Sequence, residues 1–208
     1  MSSFDVLIQN HFYINLDERN DRLVSCEREL QKIGLLRPCR FSAIKHKNGR
    51  IGCSMSHLRC LENAKKERLP YICIFEDDII IPKPNKVRNQ VNRIIESGVH
   101  WDVLLLSGNA FQPHKYYGED FICVNRSYTT TAYIVKSSYY DILIDNIKKG
   151  LLELMTTGEG AIDVYWFELQ RKDTFLLLNP PTIYQKEDYS DIEKKNVDYK
   201  KLMLNIDK

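Results

Sequence analysis

One stretch decides the fold class of this chain: Tyr71-Ile72-Cys73-Ile74-Phe75-Glu76-Asp77-Asp78-Ile79-Ile80-Ile81, an apolar run that contains three acidic residues. Pro82 and Pro84 close the segment. A continuous apolar run of this length indicates a buried strand of a parallel sheet, because both faces of such a sheet are covered. Alternation along the strand directs Glu76 and Asp78 to one side and Asp77 to the other.

The three acids need partners, because an unpaired charge at a buried strand end costs several kcal/mol. Two carboxylates on one side suit Mg²⁺ or Mn²⁺ shared with a phosphate, and open α/β sheets bind nucleotides at the carboxyl ends of their strands. We expect Asp78 to be the direct metal ligand, with Glu76 or Asp77 assisting. Glu76 is also expected to contact the ribose or a metal-bound water. The alternative is a solvated acidic turn without a cation.

Strand and helix signals alternate along the chain, which predicts an α/β domain with a predominantly parallel sheet. The predicted strands cover residues 11–16, 39–44, 71–81, 101–106, 121–124, 129–136 and 175–178. The predicted helices cover a segment capped by Asp17 and ended by Gly34, and then residues 52–68, 86–97, 137–149 and 162–170. We expect loops at 108–120 and 156–160, and fraying from Asp188 onward.

Size and composition indicate one soluble globular domain. The chain has 208 residues, of which 43% are hydrophobic and 28% charged, and its net charge of +2 does not suggest a nucleic-acid partner. No apolar run approaches the roughly 20 residues of a membrane span, and no secretory signal is visible at the N-terminus. Six scattered cysteines form no Cys-x-x-Cys, so neither a zinc site nor a disulfide framework is predicted. A reducing, cytoplasmic location is expected.

Six short motifs occur in an order that resembles glycosyltransferase family 25, which includes lipooligosaccharide and collagen hydroxylysine galactosyltransferases. They are Ile14 to Arg22, Gly52 to Leu58 with its Gly-x-x-x-Ser-His pattern, Phe75 to Asp78, Thr130 to Tyr133, Asp163 to Trp166, and Gln185 with Ser190 to Ile192. Each motif is weak alone, but their common order is specific. Thr131 departs from the family, whose members often carry His or Gln there, and this bears on donor or acceptor preference.

The resemblance implies a GT-A-type nucleotide-sugar-binding fold, a nucleotide-sugar donor and a divalent cation, Mn²⁺ or Mg²⁺. The fold class expected is α/β, a single domain with a mixed, mostly parallel central sheet. The catalytic domain is expected to cover residues 1–192, and residues 193–208 to form a charged C-terminal tail.

Candidate donor-binding residues lie in three motifs besides the acidic run: Asn15, Arg19, Arg22, Ser54, His57, Gln185 and Ser190. Arginine presents a rigid fork of donors that suits phosphate, and backbone N–H groups at a helix start favour anions. Each candidate has a plainer alternative. The arginines could pair with acids on a solvated first turn, His57 could be a structural histidine, and the C-terminal pair could belong to an ordinary surface tail.

An inverting transfer, which the resemblance implies, needs a carboxylate that deprotonates the acceptor hydroxyl. Asp163 is the first candidate and Glu159 the second. The alternative for Asp163 is an acid in the first turn of a helix, stabilised by the helix dipole.

The leading hypothesis is a metal-dependent hexosyltransferase that uses a UDP-sugar, with galactose or glucose favoured, and a saccharide or hydroxylysine-type acceptor. The second is a non-catalytic relative that binds nucleotide sugar or glycan. A phosphohydrolase is weaker, because no nucleophile or second acidic motif is evident. The oligomeric state is not encoded in any motif.

Overall fold

The structure, a computed structural model, describes residues 3–208 as an α/β domain. Its helices are α1 (Ser3–Ile8), α2 (Asn20–Lys32), α3 (Gly49–Lys66), α4 (Pro84–Glu96), α5 (Tyr140–Thr157), α6 (Ile162–Lys172) and α7 (Lys200–Leu204), with a 3₁₀ turn at Ser137–Tyr139. Its strands are β1 (His11–Asn15), β2 (Arg40–Ser42), β3 (Tyr71–Glu76), β4 (Ile79–Ile80), β5 (Val103–Leu105), β6 (Asn109–Ala110), β7 (His114–Tyr117), β8 (Phe121–Val124), β9 (Ser127–Tyr128), β10 (Ala132–Lys136), β11 (Phe175–Leu178), β12 (Tyr184–Gln185), β13 (Asp188–Ser190) and β14 (Lys195–Val197).

Eight of these strands form the central sheet, in the order β2-β1-β3-β10-β5-β11-β8-β7. β1 pairs in parallel with both β2 and β3, and β5 pairs in parallel with β11. β10 runs antiparallel between β3 and β5, and β8 runs antiparallel to β11 and β7. Only β10 and β8 therefore oppose the common direction in this sheet. The prediction of a mixed, mostly parallel sheet is confirmed.

Both faces of the sheet are covered, as the apolar character of β3 predicts. Ile72 and Ile74 pack into a cluster on the face covered by α3, α5 and α6. Cys73 and Phe75 pack into the cluster on the opposite face, covered by α1, α2 and α4. All four side chains are fully buried. Burial of each large apolar side chain contributes about 1.5–3 kcal/mol, so β3 is fixed from both sides.

Local capping was predicted wrongly at the first long helix. Arg19, rather than Asp17, occupies the N-cap position of α2, and its side chain makes no capping hydrogen bond. The Asp17 carboxylate accepts hydrogen bonds from Arg40 at 2.6 Å and Ser42 at 2.8 Å instead. A charged donor from the neighbouring strand outcompetes a local cap.

The second half of the chain is more regular than predicted. The 108–120 segment contains β6 and β7, and β7 forms the edge of the central sheet. α5 continues through Thr157 and ends at Gly158, whose φ of 77° is the left-handed conformation typical of helix C-termini. Residues beyond Asp188, predicted to fray, form the β13–β14 hairpin and α7, where Met203 is fully buried.

Among residues 3–208, no helix combines the length and the apolar character that a membrane crossing requires.

We predict that Gly150→Ala destabilises the protein by about 1–3 kcal/mol. A Cβ at this position in α5 would collide with the ring of Tyr165 on α6. Thermal and urea unfolding should be measured in the wild-type and Tyr165→Ala backgrounds. Without the ring, the same substitution should become neutral or stabilising, because alanine is favoured over glycine in a helix by about 1 kcal/mol. An equal loss in both backgrounds would contradict this account.

Candidate active site

A cavity of about 930 Å³ opens at the carboxyl edge of the first three parallel strands. Its walls include residues that directly follow β1, β2 and β3, together with the segment that leads into β10. Because β10 is antiparallel to β3, its beginning lies at the same edge as the end of β3. The cavity therefore lies where open α/β sheets bind their ligands.

The acidic motif forms the end of β3 and the turn into β4. All three carboxylates line the cavity. Gln185 on β12 faces this turn, because β12 pairs with β4 and places Gln185 opposite Ile79. The Gln185 Nε2 atom lies 3.3 Å from Glu76 Oε2 and 3.4 Å from Asp78 Oδ2, so one amide links the two acids predicted on the same side of the strand.

Asp78 is the acid with the weakest pairing. Its Oδ1 atom is buried without a hydrogen-bond partner, and its Oδ2 atom lies 3.4 Å from both Arg22 Nη1 and Gln185 Nε2. Burial, followed by the negative charge of Glu76, raises the pKa of Asp78 to about 8. The described residues therefore offset the negative charge of Asp78 only in part, and a positively charged ligand could offset the rest.

Asp77 and Glu76 have closer partners. Asp77 accepts hydrogen bonds from Asn15 at 2.7 Å and Arg22 at 3.0 Å, while burial raises its pKa. Glu76 accepts a hydrogen bond of 2.6 Å from Thr130 Oγ1. Burial opposes its ionisation, but His57 and Thr130 outweigh burial and lower the pKa of Glu76.

The donor set at this turn fits a hard divalent cation. Carboxylate oxygens are the ligands that Mg²⁺ and Mn²⁺ prefer, and the unpartnered Oδ1 atom of Asp78 offers one such ligand. Asp78 and Glu76, held on one side of the strand by Gln185, are the residues that would hold the ion.

Two arginines at the start of α2 contact the C-terminal hairpin, which we define as residues 188–197, and Arg22 also contacts the acidic turn. Arg22 contacts Asp77 and Asp78 with Nη1 and donates from Nε to Asp188 at 3.2 Å. Arg19 donates to Asp188 at 2.9 Å and Asp191 at 2.6 Å. Arg22 lines the cavity, whereas Asn15 and Arg19 are not among its lining residues.

Helix α3 places His57 in the cavity wall, but it does not place Ser54 there. The Ser54 hydroxyl is buried and donates to Arg50 O at 2.8 Å, one turn earlier. Ser56 lines the cavity instead and accepts a hydrogen bond of 2.8 Å from Ile44 N. The Ser54 side chain therefore bonds to the backbone of its own helix, which its place in the motif did not predict.

Asp163 lines the cavity from the first turn of α6. Its Oδ2 atom accepts from Thr129 N at 2.9 Å and its Oδ1 atom from Val164 N at 3.0 Å. Burial raises the pKa of Asp163, and the charge of Glu76 acts in the same direction. Glu159 has an exposed side chain and does not line the cavity, so the structure favours Asp163 of the two candidate bases.

The sequence does not predict several of the contacts made at this site. Thr130 is part of a motif, but its bond to Glu76 depends on strand register. Asp188, which does not line the cavity, and Asp191, which belongs to the last motif, both pair with Arg19, a residue distant in sequence. The segment predicted as a charged tail contributes Glu193, Lys194 and Tyr199 to the wall, which Ser190 also lines.

A model of glycosyltransferase family 25, described as an LPS biosynthesis protein, matches residues 42–155. This match covers more than half of the chain and includes α3, the acidic turn and β10. The chain belongs to glycosyltransferase family 25. The enzyme class expected from the motifs, a glycosyltransferase, is thereby confirmed.

This family 25 protein resembles solved structures only distantly. A197 from STIV is 10% identical with a TM-score of 0.49, and the match covers 90% of this chain and 92% of that one. The catalytic domain of Drosophila β1,4-galactosyltransferase 7 is 9% identical with a TM-score of 0.46, covering 90% and 74%. A glycosyltransferase that acts in glycosylation of the PBCV-1 major capsid is 10% identical with a TM-score of 0.38, covering 81% and 92%. No curated protein matches the sequence significantly.

Thr131, which the sequence motifs singled out, is fully buried and does not line the cavity. Its carbonyl accepts a hydrogen bond of 2.8 Å from Glu76 N. Thr131 therefore stabilises the start of the acidic turn through this backbone hydrogen bond.

We predict that Asp78→Asn stabilises the metal-free protein, by about 1–3 kcal/mol at pH 8. The Asp78 pKa rises from about 3.9 in an unfolded chain to about 8 in the folded protein. The folded state therefore keeps a proton that the unfolded state releases, and wild-type stability is lost as pH rises from about 4 to 8.

Melting temperatures in a chelating buffer at pH 5 and pH 8 test this prediction. The gain of Asp78→Asn over wild type should be larger at pH 8, and Asp145→Asn, at an exposed position of α5, should show no such trend. A variant that melts below wild type at pH 8 would refute the assignment.

Proposed function

We propose that the protein transfers a hexose, galactose or glucose, from a UDP-sugar to a saccharide or hydroxylysine-type hydroxyl with inversion, supported by Mn²⁺ or Mg²⁺. One observation carries the proposal. In a family 25 chain, a buried carboxylate with an unpartnered oxygen faces a cavity large enough for a nucleotide sugar.

The donor side of the cavity is assigned to the first three strands. Asp78 and Glu76 would hold the cation, with Gln185 orienting both carboxylates. When bound, the ion supplies Lewis-acid stabilisation of the charge on the departing diphosphate. Arg22 adds positive charge beside it through a rigid, delocalised guanidinium. The apolar residues Ile14, Leu16, Ala43 and Ile44 offer a wall for the uracil ring.

The C-terminal hairpin closes this side of the cavity. Ser190, Asp191 and Ile192 line it, and a Cβ built on Gly49 would lie 3.1 Å from Ile192 Cα, so the hairpin packs directly on the start of α3. A cover of this kind excludes water and protects the donor from hydrolysis.

Asp163 is assigned as the general base. Two backbone N–H groups fix its carboxylate, and burial raises its pKa toward the range in which a carboxylate removes a proton effectively. The acceptor O–H proton passes to Asp163 while the acceptor oxygen bonds to the anomeric carbon. The bond from that carbon to the diphosphate oxygen breaks, and its electron pair leaves with UDP.

The Asp163 carboxylate also supports the alternative function, a non-catalytic relative that binds nucleotide sugar or glycan. Both of its oxygens already accept backbone hydrogen bonds, as in a structural acid at a helix start. Donor hydrolysis separates the two functions. Release of UDP from a UDP-sugar in Mn²⁺ supports the transferase, and calorimetric binding without release supports the binding protein.

We predict that Asp78→Ala abolishes Mn²⁺-dependent binding of UDP while the fold persists. Loss of one electrostatic stabiliser of this kind costs about 3 kcal/mol or more, which is a weakening of at least about a hundredfold. Isothermal calorimetry with and without Mn²⁺ measures it, and Asp145→Ala is the matched exposed control. Undiminished binding by Asp78→Ala would remove the metal role of this residue.

We predict that Asp163→Asn lowers turnover by about a hundredfold or more while donor affinity stays close to wild type, because the amide keeps the shape but cannot accept the proton. Product formation by mass spectrometry and UDP-sugar calorimetry give the two readouts. Glu159→Gln, four residues away and exposed, should retain turnover. If Asp163→Asn instead loses donor affinity, the residue belongs to the donor site.

A further inference from the structure

Three side chains of different chemistry converge on one spot of the cavity wall: Cys53, His57 and Glu76. Cys53 and His57 lie one helical turn apart on α3, and Glu76 ends β3, which packs against that helix. The thiol sulfur, one imidazole nitrogen and one carboxylate oxygen all lie within 4.8 Å of one another. The chemistry assigned above uses the carboxylate but leaves the thiol without a role.

His57 is held in the orientation of a ligand. Its ring is 1% exposed, and its Nδ1 atom pairs with Tyr133 Oη at 2.9 Å. The other nitrogen, Nε2, has no hydrogen-bond partner and lies 3.4 Å from Glu76 Oε1. A ring fixed through one nitrogen, with the other free beside an acid, is the arrangement common to metal-binding histidines.

The separation of the His57 and Glu76 ligand atoms is compatible with a tetrahedral metal ion. Tetrahedral Zn²⁺ with nitrogen and oxygen ligands at about 2.0–2.1 Å places those ligands about 3.4 Å apart, close to the observed 3.4 Å between Nε2 and Oε1. Sulfur, imidazole and carboxylate ligands together favour zinc over the hard cations that the oxygen-only set of Asp78 suits. A fourth coordination position would face the cavity.

We propose that Cys53, His57 and Glu76 form a Zn²⁺ site, separate from the hard-cation site at Asp78 and linked to it through Glu76. On binding, the Cys53 thiol releases its proton to solvent and the thiolate bonds to the metal. Glu76 also contacts Gln185 beside Asp78, so a zinc ion at this site would share a ligand residue with the proposed donor site.

Co²⁺ is the probe, because cobalt replaces zinc at such sites and its bond to a thiolate gives an intense near-ultraviolet absorption. We expect the purified, chelator-treated protein to bind one Co²⁺ per chain with this absorption, and added Zn²⁺ to abolish it. Cys53→Ser should lose the absorption, and His57→Gln should bind at least about tenfold more weakly. Cys39→Ser, at an exposed cysteine, should retain it.

Circular dichroism and melting curves establish that each variant is folded, and His57→Gln keeps the test decisive if Cys53→Ser does not fold. No thiolate absorption in the folded wild type, or its persistence in folded Cys53→Ser, overturns the proposal. Asp78→Asn should keep the cobalt absorption whether or not it binds UDP. Failure of the zinc site is thereby distinguished from failure of the proposed transferase function.

Discussion

The pairing of three largely buried carboxylates at the end of β3 is the constraint on which the rest of the site depends. Charge in a low-dielectric setting is tolerated only with partners, and those partners come from four separate elements. Asn15 ends β1, Arg22 lies on α2, Thr130 precedes β10 and Gln185 lies on β12. Each reaches the acids at 2.6–3.4 Å, so the relative positions of these elements are set by one cluster of charge.

The three acids are not paired equally well. Asp77 receives both an amide and a guanidinium at hydrogen-bond distance, and it fastens α2 to the sheet. Asp78 keeps one buried oxygen without a partner. An under-satisfied carboxylate costs folding free energy, and proteins retain such costs where ligands compensate for them. Ser54 and His57 differ in the same way. The Ser54 hydroxyl has a hydrogen-bond partner within its own helix, whereas the His57 Nε2 atom has no hydrogen-bond partner.

What the sequence predicted well depended on local periodicity. The structure confirms strand β3 and helix α3, which were predicted from an alternating apolar run and from helical spacing. Both predictions hold because the apolar side chains of these elements are buried in the two core clusters. Contacts of long sequence separation were not predictable in this way. Arg19 and Asp188 are 169 residues apart in sequence, so the C-terminal hairpin resembled an unstructured polar tail. Likewise, no local cysteine motif marks the cluster of Cys53 and His57, because Glu76 completes it from another element.

The guanidinium of Arg22 has one end on the acidic turn and the other on the hairpin, where it donates to Asp188 and to the Tyr189 carbonyl at 2.9 Å. A cation bound beside Asp78, as proposed, would repel this guanidinium and weaken its contact with the acidic turn, so cation binding and the position of the C-terminal hairpin would be coupled in free energy. Under the proposed function, one arginine side chain would therefore link ligand binding at the acidic turn to closure of the cavity by residues 188–197.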